Sequence, residues 1–423
     1  VTEYKLPYGN RNLTFTIPDR FSVDTLTPET LQPITDIDSV MTQAFANPLG
    51  KFKLTDFKGA KSVGIAINDK TRPIPKPNPL PSLLGTLKTL GFPNEAITLF
   101  IGSGTHTPMT SSELYGILEP EIISDYDIIV HDCDHTPMAD LGMTSYQTPV
   151  KINQAYYDCD LKITVGNIEP HHFMGFSGGV KTAAIGLAGR ETISVNHAML
   201  IKDHTQSGLF HTNPMRQDLE EIGQKAGIHF CLGTILDEDK HIIQFLFGDP
   251  TSVMNTAIPT VKRTFGVSTP KPYDLVIASP GGHPKDINFY QGQKGLTHAA
   301  RITKDDGWVI LLAACPEGSG SESYEKYVKS AGSHDAILTE FNDGFFQIGP
   351  HKAFQIAREA VRVNIVLVSD IPPAQVKGWK ITPSKPELLD PLIQWITDRF
   401  KPDARIAILP GSTRTMTEVK QND

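Results

Sequence analysis

The chain has 423 residues, more than one ordinary hydrophobic core holds, so two domains are expected. Hydrophobic residues make up 39% and charged residues 20%, as in a soluble globular protein, and a formal charge of −8 argues against bulk binding to nucleic acid or an anionic membrane. No apolar run approaches the roughly 20 residues of a membrane span, the first residues show no apolar signal region, and the four cysteines (Cys133, Cys159, Cys231, Cys315) lack CxxC pairing. These features predict a cytoplasmic protein whose cysteines are small core residues.

The first fifty or so residues read as a small β-rich entry and a proline-broken loop, with a helix near Ser39 to Phe45. From Ser62 onward, short apolar runs alternate with segments of helical periodicity. Strands are expected at 62–67, 97–102, 127–130 and 161–165, with helices at 80–90, 111–118 and 151–158 between them. Continuous apolar strands separated by helices imply a parallel sheet covered on both faces. A helix comes next at 214–226, with proline in its first turn and glycine after its end, then a strand at 229–236 and a helix at 251–265. The polar stretch Gly266 to Pro272, with two prolines, marks the boundary between domains 1–268 and 269–423. Beyond it the pattern restarts, with strands at 274–278, 307–314, 364–369 and 405–409 and helices near 323–331, 352–361 and 391–400. The expected fold is α/β: two domains, each on a mostly parallel sheet with flanking helices, and an active site in the cleft between them.

The loops at the strand ends carry the chemistry. Asn68-Asp69-Lys70-Thr71-Arg72-Pro73 lies after the first strand, Ser103-Gly104-Thr105-His106 after the second, and Asn167 to Lys181 after the fourth; Ser279-Pro280-Gly281-Gly282-His283 lies after the first strand of the second domain. In open parallel sheets, ligands sit outside the carboxyl ends of the strands, so these loops converge on one edge. His106, in GSGTH, offers an imidazole that suits a general acid or base. His171 and His172 are adjacent, and on an extended stretch they point to opposite sides. GFSGGVKT, Gly175 to Thr182, fails as a P-loop because Val180 separates Gly179 from Lys181. Lys181, among small and apolar neighbours, suits a cation, a general base or a nucleophile. One histidine, His197, is a poor protein-only metal site, because zinc requires three or four ligands. Tyr290, Gln291 and Lys294 fall within about one helical turn, with Gln291 and Lys294 on one face, and suit a carboxylate or carbonyl oxygen. Arg72 offers a planar fork for a carboxylate.

DKTRP, GSGTH, EPHHFMGFSGGVK, VNH and YQGQKG, in this order, make the chain resemble the lactate racemase family, the 2-hydroxyacid racemases that depend on a nickel-pincer nucleotide. The resemblance runs from the DKTRP loop past Lys294. It implies that Lys181 is the covalent attachment point of the cofactor, a pyridinium-3-thioamide-5-thiocarboxylic acid mononucleotide that holds Ni(II) by one carbon and two sulfurs. It implies His197 as the remaining ligand of a square-planar nickel. His106 and His171 match the two catalytic bases, His172 takes a packing role, Asp69, Thr71, Gly178 and Gly179 adjoin the cofactor, and Arg72, Tyr290, Gln291 and Lys294 adjoin the substrate. The implied reaction removes the hydroxyl proton to a histidine and the α-hydrogen as hydride to the pincer, then returns both to either face of the 2-keto acid. Cofactor-biosynthesis proteins are implied as partners, and nucleic acid and membrane are not. One departure stands out: His351 falls where the lactate enzyme has a tryptophan near the substrate, which opens the pocket to a larger or more polar 2-hydroxyacid. Two other classes fit the bare residues, a lysine Schiff-base enzyme using pyridoxal phosphate and a non-catalytic protein that carries a nucleotide cofactor.

Overall fold

The computed structural model describes residues 1–347 and 349–420. The chain forms two compact units: a central unit, Thr30–Thr264, and a terminal unit made of Val1–Glu29 and the chain from Phe265 on. Both are α/β.

The central unit is built on a six-stranded sheet in the order Ile242–Gly248, Phe230–Leu236, Leu161–Asn167, Val63–Asn68, Ile97–Gly102, Asp127–Val130. All pairs are parallel except the edge strand Ile242–Gly248. Val63 to Ile67 are buried without a break, which is why this strand reads as a continuous apolar run: helices and loops cover both faces. The chain lays down the inner strand Val63–Asn68 first, moves outward to one side, then returns to build the other side from Leu161–Asn167. The order of strands therefore reverses between these two neighbours, and ligands of doubly wound sheets bind in the crevice at their carboxyl ends. Helix Pro214–Ala226 has the boundaries its sequence signals require. Asn213 caps it by accepting from the Arg216 amide at 3.2 Å, Pro214 opens it, and Gly227 closes it at φ 69°.

The terminal unit carries a second six-stranded sheet in the order Thr382–Ser384, Asn364–Val368, Thr303–Leu312, Tyr273–Ala278, Arg405–Leu409, Ser22–Thr25, with every pair parallel. The sequence reading puts residues 1–29 in the first domain; the structure puts them here. The hairpin Thr2–Tyr8 with Arg11–Ile17 buries Leu6, Tyr8, Phe15 and Ile17 in one core with Leu275, Ile310, Ile393 and Ile396. An alternating strand announces that one face is buried but not against what. The boundary also shifts slightly: the units part between Thr264 and Phe265, and Gly266–Thr269 is a short strand paired with Met416–Val419.

One further element differs. The stretch expected as a helix at 151–158 is a strand, Pro149–Asn153, paired antiparallel with Met138–Met143, and then one turn of helix, Gln154–Tyr157. Asn153 ends the strand by accepting from the Tyr156 amide at 3.2 Å. All four cysteines are free thiols in the core. Among the described residues no helix is long and apolar enough to cross a membrane.

Candidate active site

The carboxyl ends of Val63–Asn68, Ile97–Gly102 and Leu161–Asn167 open onto one cavity of about 190 Å³. Asp69, Thr71 and Arg72 reach it from the first loop and His106 from the second. The third loop supplies His171, Gly178 and Lys181, and helix Arg190–Ala198 supplies His197. Residues singled out by motif on four separate segments thus surround one space at the reversal point of the sheet.

The floor is the loop from Gly175 to Lys181. Gly178 and Gly179 have φ of 83° and 64°, and a Cβ on Gly178 would lie 2.6 Å from the Ile168 side chain. Only glycine takes this path without strain. Gly179 does not itself line the cavity; its carbonyl accepts from Thr164 Oγ1 at 3.0 Å. Beneath the loop lies Arg216, which has no solvent exposure. It donates to the carbonyls of Phe176 at 2.8 Å and Gly178 at 3.1 Å and pairs with Glu220 at 2.6 Å. The sequence reading did not single out Arg216. The sequence offers only an Arg/Glu pair four residues apart, and on this helix burial rather than solvent receives both charges.

Lys181 begins a single helical turn at the end of this loop, walled by protein and open only to the cavity. Burial pushes its amine down to about 7, helped by the positive charges of Arg72 and Arg216 and opposed by Glu169 and Asp69. At neutral pH a large share of the amine is therefore unprotonated and nucleophilic. His197 is pushed down to about 4, first by burial and then by Lys181. Its Nδ1 donates to the Ile193 carbonyl at 2.9 Å, which leaves the Nε2 lone pair as the ring's available ligand atom.

Asp69, 5% exposed, ties the first two loops together. Its Oδ2 accepts from His106 Nδ1 at 2.7 Å, and its Oδ1 accepts from the amide and hydroxyl of Thr71 at 3.1 and 2.5 Å. Burial raises the carboxyl, and the bonds from His106 and Thr71 outweigh it, so Asp69 stays below the usual carboxylate range and is ionised. Its partnership with Nδ1 leaves Nε2 of His106 as the basic nitrogen. The tautomer of His171 is the opposite one: Nδ1 accepts from the Met174 amide at 3.2 Å, so the neutral ring carries its proton on Nε2. The expectation that His171 and His172 point to opposite sides is not met. His172 lies in a turn rather than on the strand, and the two rings stack at 4.8 Å and 15°, with Phe173 edge-on to both. Arg72 Nη1 pairs with Glu169 Oε1 at 3.3 Å, each about one-third exposed. Ser103 and Ser177 line the cavity, and their buried Oγ atoms have no hydrogen-bond partner among the described residues.

Tyr290, Gln291 and Lys294 belong to the terminal unit and cluster there. Asn288 caps the turn by accepting from the Gln291 amide at 3.1 Å, and Lys294 Nζ donates to Gln291 Oε1 at 2.6 Å. The Tyr290 ring meets His351 edge-on at 6.3 Å. His351 is 8% exposed and accepts at Nδ1 from the Gly349 amide at 3.0 Å.

Comparison with known proteins agrees with this organisation. Residues 8–208 match the model of the lactate racemase N-terminal domain, and residues 268–415 match that of the lactate racemase C-terminal domain. The chain is 27% identical over 426 residues to a lactate racemase of Thermoanaerobacterium thermosaccharolyticum, covering 98% of this chain and 99% of that one. It is 29% identical over 375 residues to a lactate racemase of Lactiplantibacillus plantarum, covering 86% and 88%. The solved structure of the lactate racemase apoprotein from T. thermosaccharolyticum superposes with a TM-score of 0.87 over 99% of this chain and 100% of that one, at 27% identity. A protein from Thermotoga maritima, at 18% identity and a TM-score of 0.61, shares the fold.

Proposed function

The chain belongs to the lactate racemase family, and from that premise we propose that it is an isomerase that racemises or epimerises a 2-hydroxyacid, lactate or a larger one, with a nickel-pincer nucleotide held at Lys181 and His197. The observation that carries this reading is the meeting, in one cavity, of a buried amine lowered to about 7, an imidazole fixed with Nε2 free of its proton, and an Asp69–His106 pair.

The donor set fits such a cofactor. One imidazole is too few to hold a metal from protein side chains alone, but it suffices when a tethered group brings the other ligands. The amine of Lys181 is the natural attachment point, and the glycines at 178 and 179 keep side chains out of the space. When bound, the nickel-pincer nucleotide supplies Ni(II) and a reversible acceptor for the hydride from the substrate α-carbon.

The protein's own residues move the proton. His106 Nε2 takes the substrate hydroxyl proton, and the Asp69 carboxylate stabilises the imidazolium that forms and fixes the ring's tautomer. His171 is the second acid–base group: it returns a proton from Nε2 as the imidazolium, a state in which Nδ1 no longer accepts from the Met174 amide. One enantiomer loses its proton to one histidine, and its mirror image regains one from the other. Arg72 holds the substrate carboxylate, with charge placed before the reaction begins, and Tyr290, Gln291 and Lys294 are a further substrate-binding cluster within the terminal unit. Proteins that build and deliver the pincer are the required partners.

The test is the mass of the Lys181 peptide from enzyme made in a host that synthesises the cofactor, together with chiral chromatography of a 2-hydroxyacid panel. A large adduct on Lys181 accompanied by racemisation is expected. Racemisation by enzyme with an unmodified Lys181 overturns the reading.

A further inference from the structure

A second buried lysine lies beside the predicted substrate loop, and the proposed mechanism does not use it. Lys352, on helix His351–Ala360, is 2% exposed. Its Nζ sits 4.9 Å from the centre of the Tyr290 ring and donates to Gln355 Oε1 at 3.2 Å. Both partners are neutral. The helix's acid, Glu359, is taken up by Arg358 at 3.6 Å and Arg362 at 3.8 Å. Among the described residues no carboxylate lies within ion-pair distance of Lys352. The charge that does act on it is another cation, Lys294, which with burial drives the Lys352 amine well below its ordinary range. Tyr290 joins the two: it shares a turn with Gln291 and Lys294, and its ring also meets His351.

A buried ammonium without a counter-charge is costly, and two cations that weaken each other cost more. An anion between them reverses the sign of both effects. In the proposed mechanism Lys294 already takes the carboxylate common to every 2-hydroxyacid, so one carboxylate leaves Lys352 uncompensated. We propose that Lys352, paired with Lys294 across Tyr290, is a specificity residue that selects 2-hydroxyacids carrying a second carboxylate. The proposal rests on the racemase reading only for the word substrate; the anion site stands on its own contacts.

Two measurements on the nickel-loaded enzyme test this. Calorimetric titration with malonate, an unreactive dicarboxylate, is expected to show binding at least tenfold tighter than acetate, with the difference lost in Lys352→Met and Lys352→Gln and kept in Lys352→Arg. In turnover, kcat/KM for malate relative to lactate is expected to exceed one and to fall at least tenfold in Lys352→Met. A wild-type enzyme that favours lactate and binds malonate no better than acetate overturns the proposal, even if no variant folds. So does a malonate affinity that Lys352→Met leaves unchanged. If malonate binding depends on Lys352 but neither acid is racemised by enzyme carrying the Lys181 adduct, the racemase reading fails and the anion site remains.

Discussion

The cavity around Lys181 and the cluster around Lys352 are two answers to the same problem, a lysine amine taken out of water. Lys181 sits among charges of both signs, with Arg72 and Arg216 against it and Glu169 and Asp69 for it, and its amine comes down only to about 7. Lys352 meets another cation, an amide and a ring, and is driven well below its ordinary range. Burial alone therefore does not distinguish a nucleophile from a binding group. What sets Lys181 apart is an amine lowered to about 7, a cavity beside it, and titratable side chains lining that space.

The sharpest way to break this contrast is to remove the acid–base groups while leaving the amine. His106→Gln is expected to lower kcat about 10³-fold and Asp69→Asn about 10²-fold, with the Lys181 adduct retained in both. Equal loss of adduct and turnover would mean that these residues build the cavity and do not move protons. Next in size is Arg216→Met, which leaves Glu220 buried without its partner. Denaturant unfolding is expected to show a loss of roughly 3–5 kcal/mol. Arg216→Met with Glu220→Leu should recover most of that stability yet still load Lys181 poorly, because the carbonyls of Phe176 and Gly178 lose their donor.

A smaller effect reads the amine itself. Labelling of Lys181 in cofactor-free protein by an amine-directed reagent, with the peptide mass as readout, should have its midpoint near pH 7. Arg72→Met should move the midpoint up and Glu169→Gln should move it down, in keeping with the sign of each charge. The same depression has a stability counterpart. Between about 7 and the ordinary 10.5 the unfolded chain holds a proton on Lys181 that the folded chain does not, so this residue makes cofactor-free protein more stable as pH rises through that window. Lys181→Met is expected to flatten that slope. The smallest change is His172→Phe, which keeps an aromatic ring against His171 and Phe173 and should alter turnover less than about threefold.

Much of the cavity lining was legible because it is carried by short loops at strand ends. Asp69, Thr71, Arg72, His106, His171, Lys181 and His197 each fall in a motif, and the apolar runs before the loops told where those motifs would gather. Arg216 was not legible: on a helix, an arginine four residues before a glutamate reads as a solvated surface pair, and only the packing of the Gly175–Lys181 loop over that face shows both to be buried. The alternation of strand and helix revealed the class of each unit, yet not the order of strands in the sheet. Lys151 to Asp158 carries apolar spacing compatible with a helix, and pairing with Met138–Met143, a contact decided outside the segment, turned its first half into a strand. The stacking of His171 on His172 likewise depends on a turn that a dipeptide cannot reveal.

The strand Ser22–Thr25 closes one edge of the terminal sheet by pairing with Arg405–Leu409. The two strands of this pair lie on opposite sides of the central unit in the chain, so one is synthesised well before the other. The central unit, Thr30–Thr264, is wholly translated before that sheet has its neighbouring strand, and so is able to form while the first hairpin still waits with its apolar face uncovered. The terminal sheet becomes complete only when the last strand emerges, after a loop closure spanning nearly the whole chain. The early hairpin is thus the part of the nascent protein most in need of shelter, and a release assay that truncates synthesis before Arg405 should find it the first segment cut by protease.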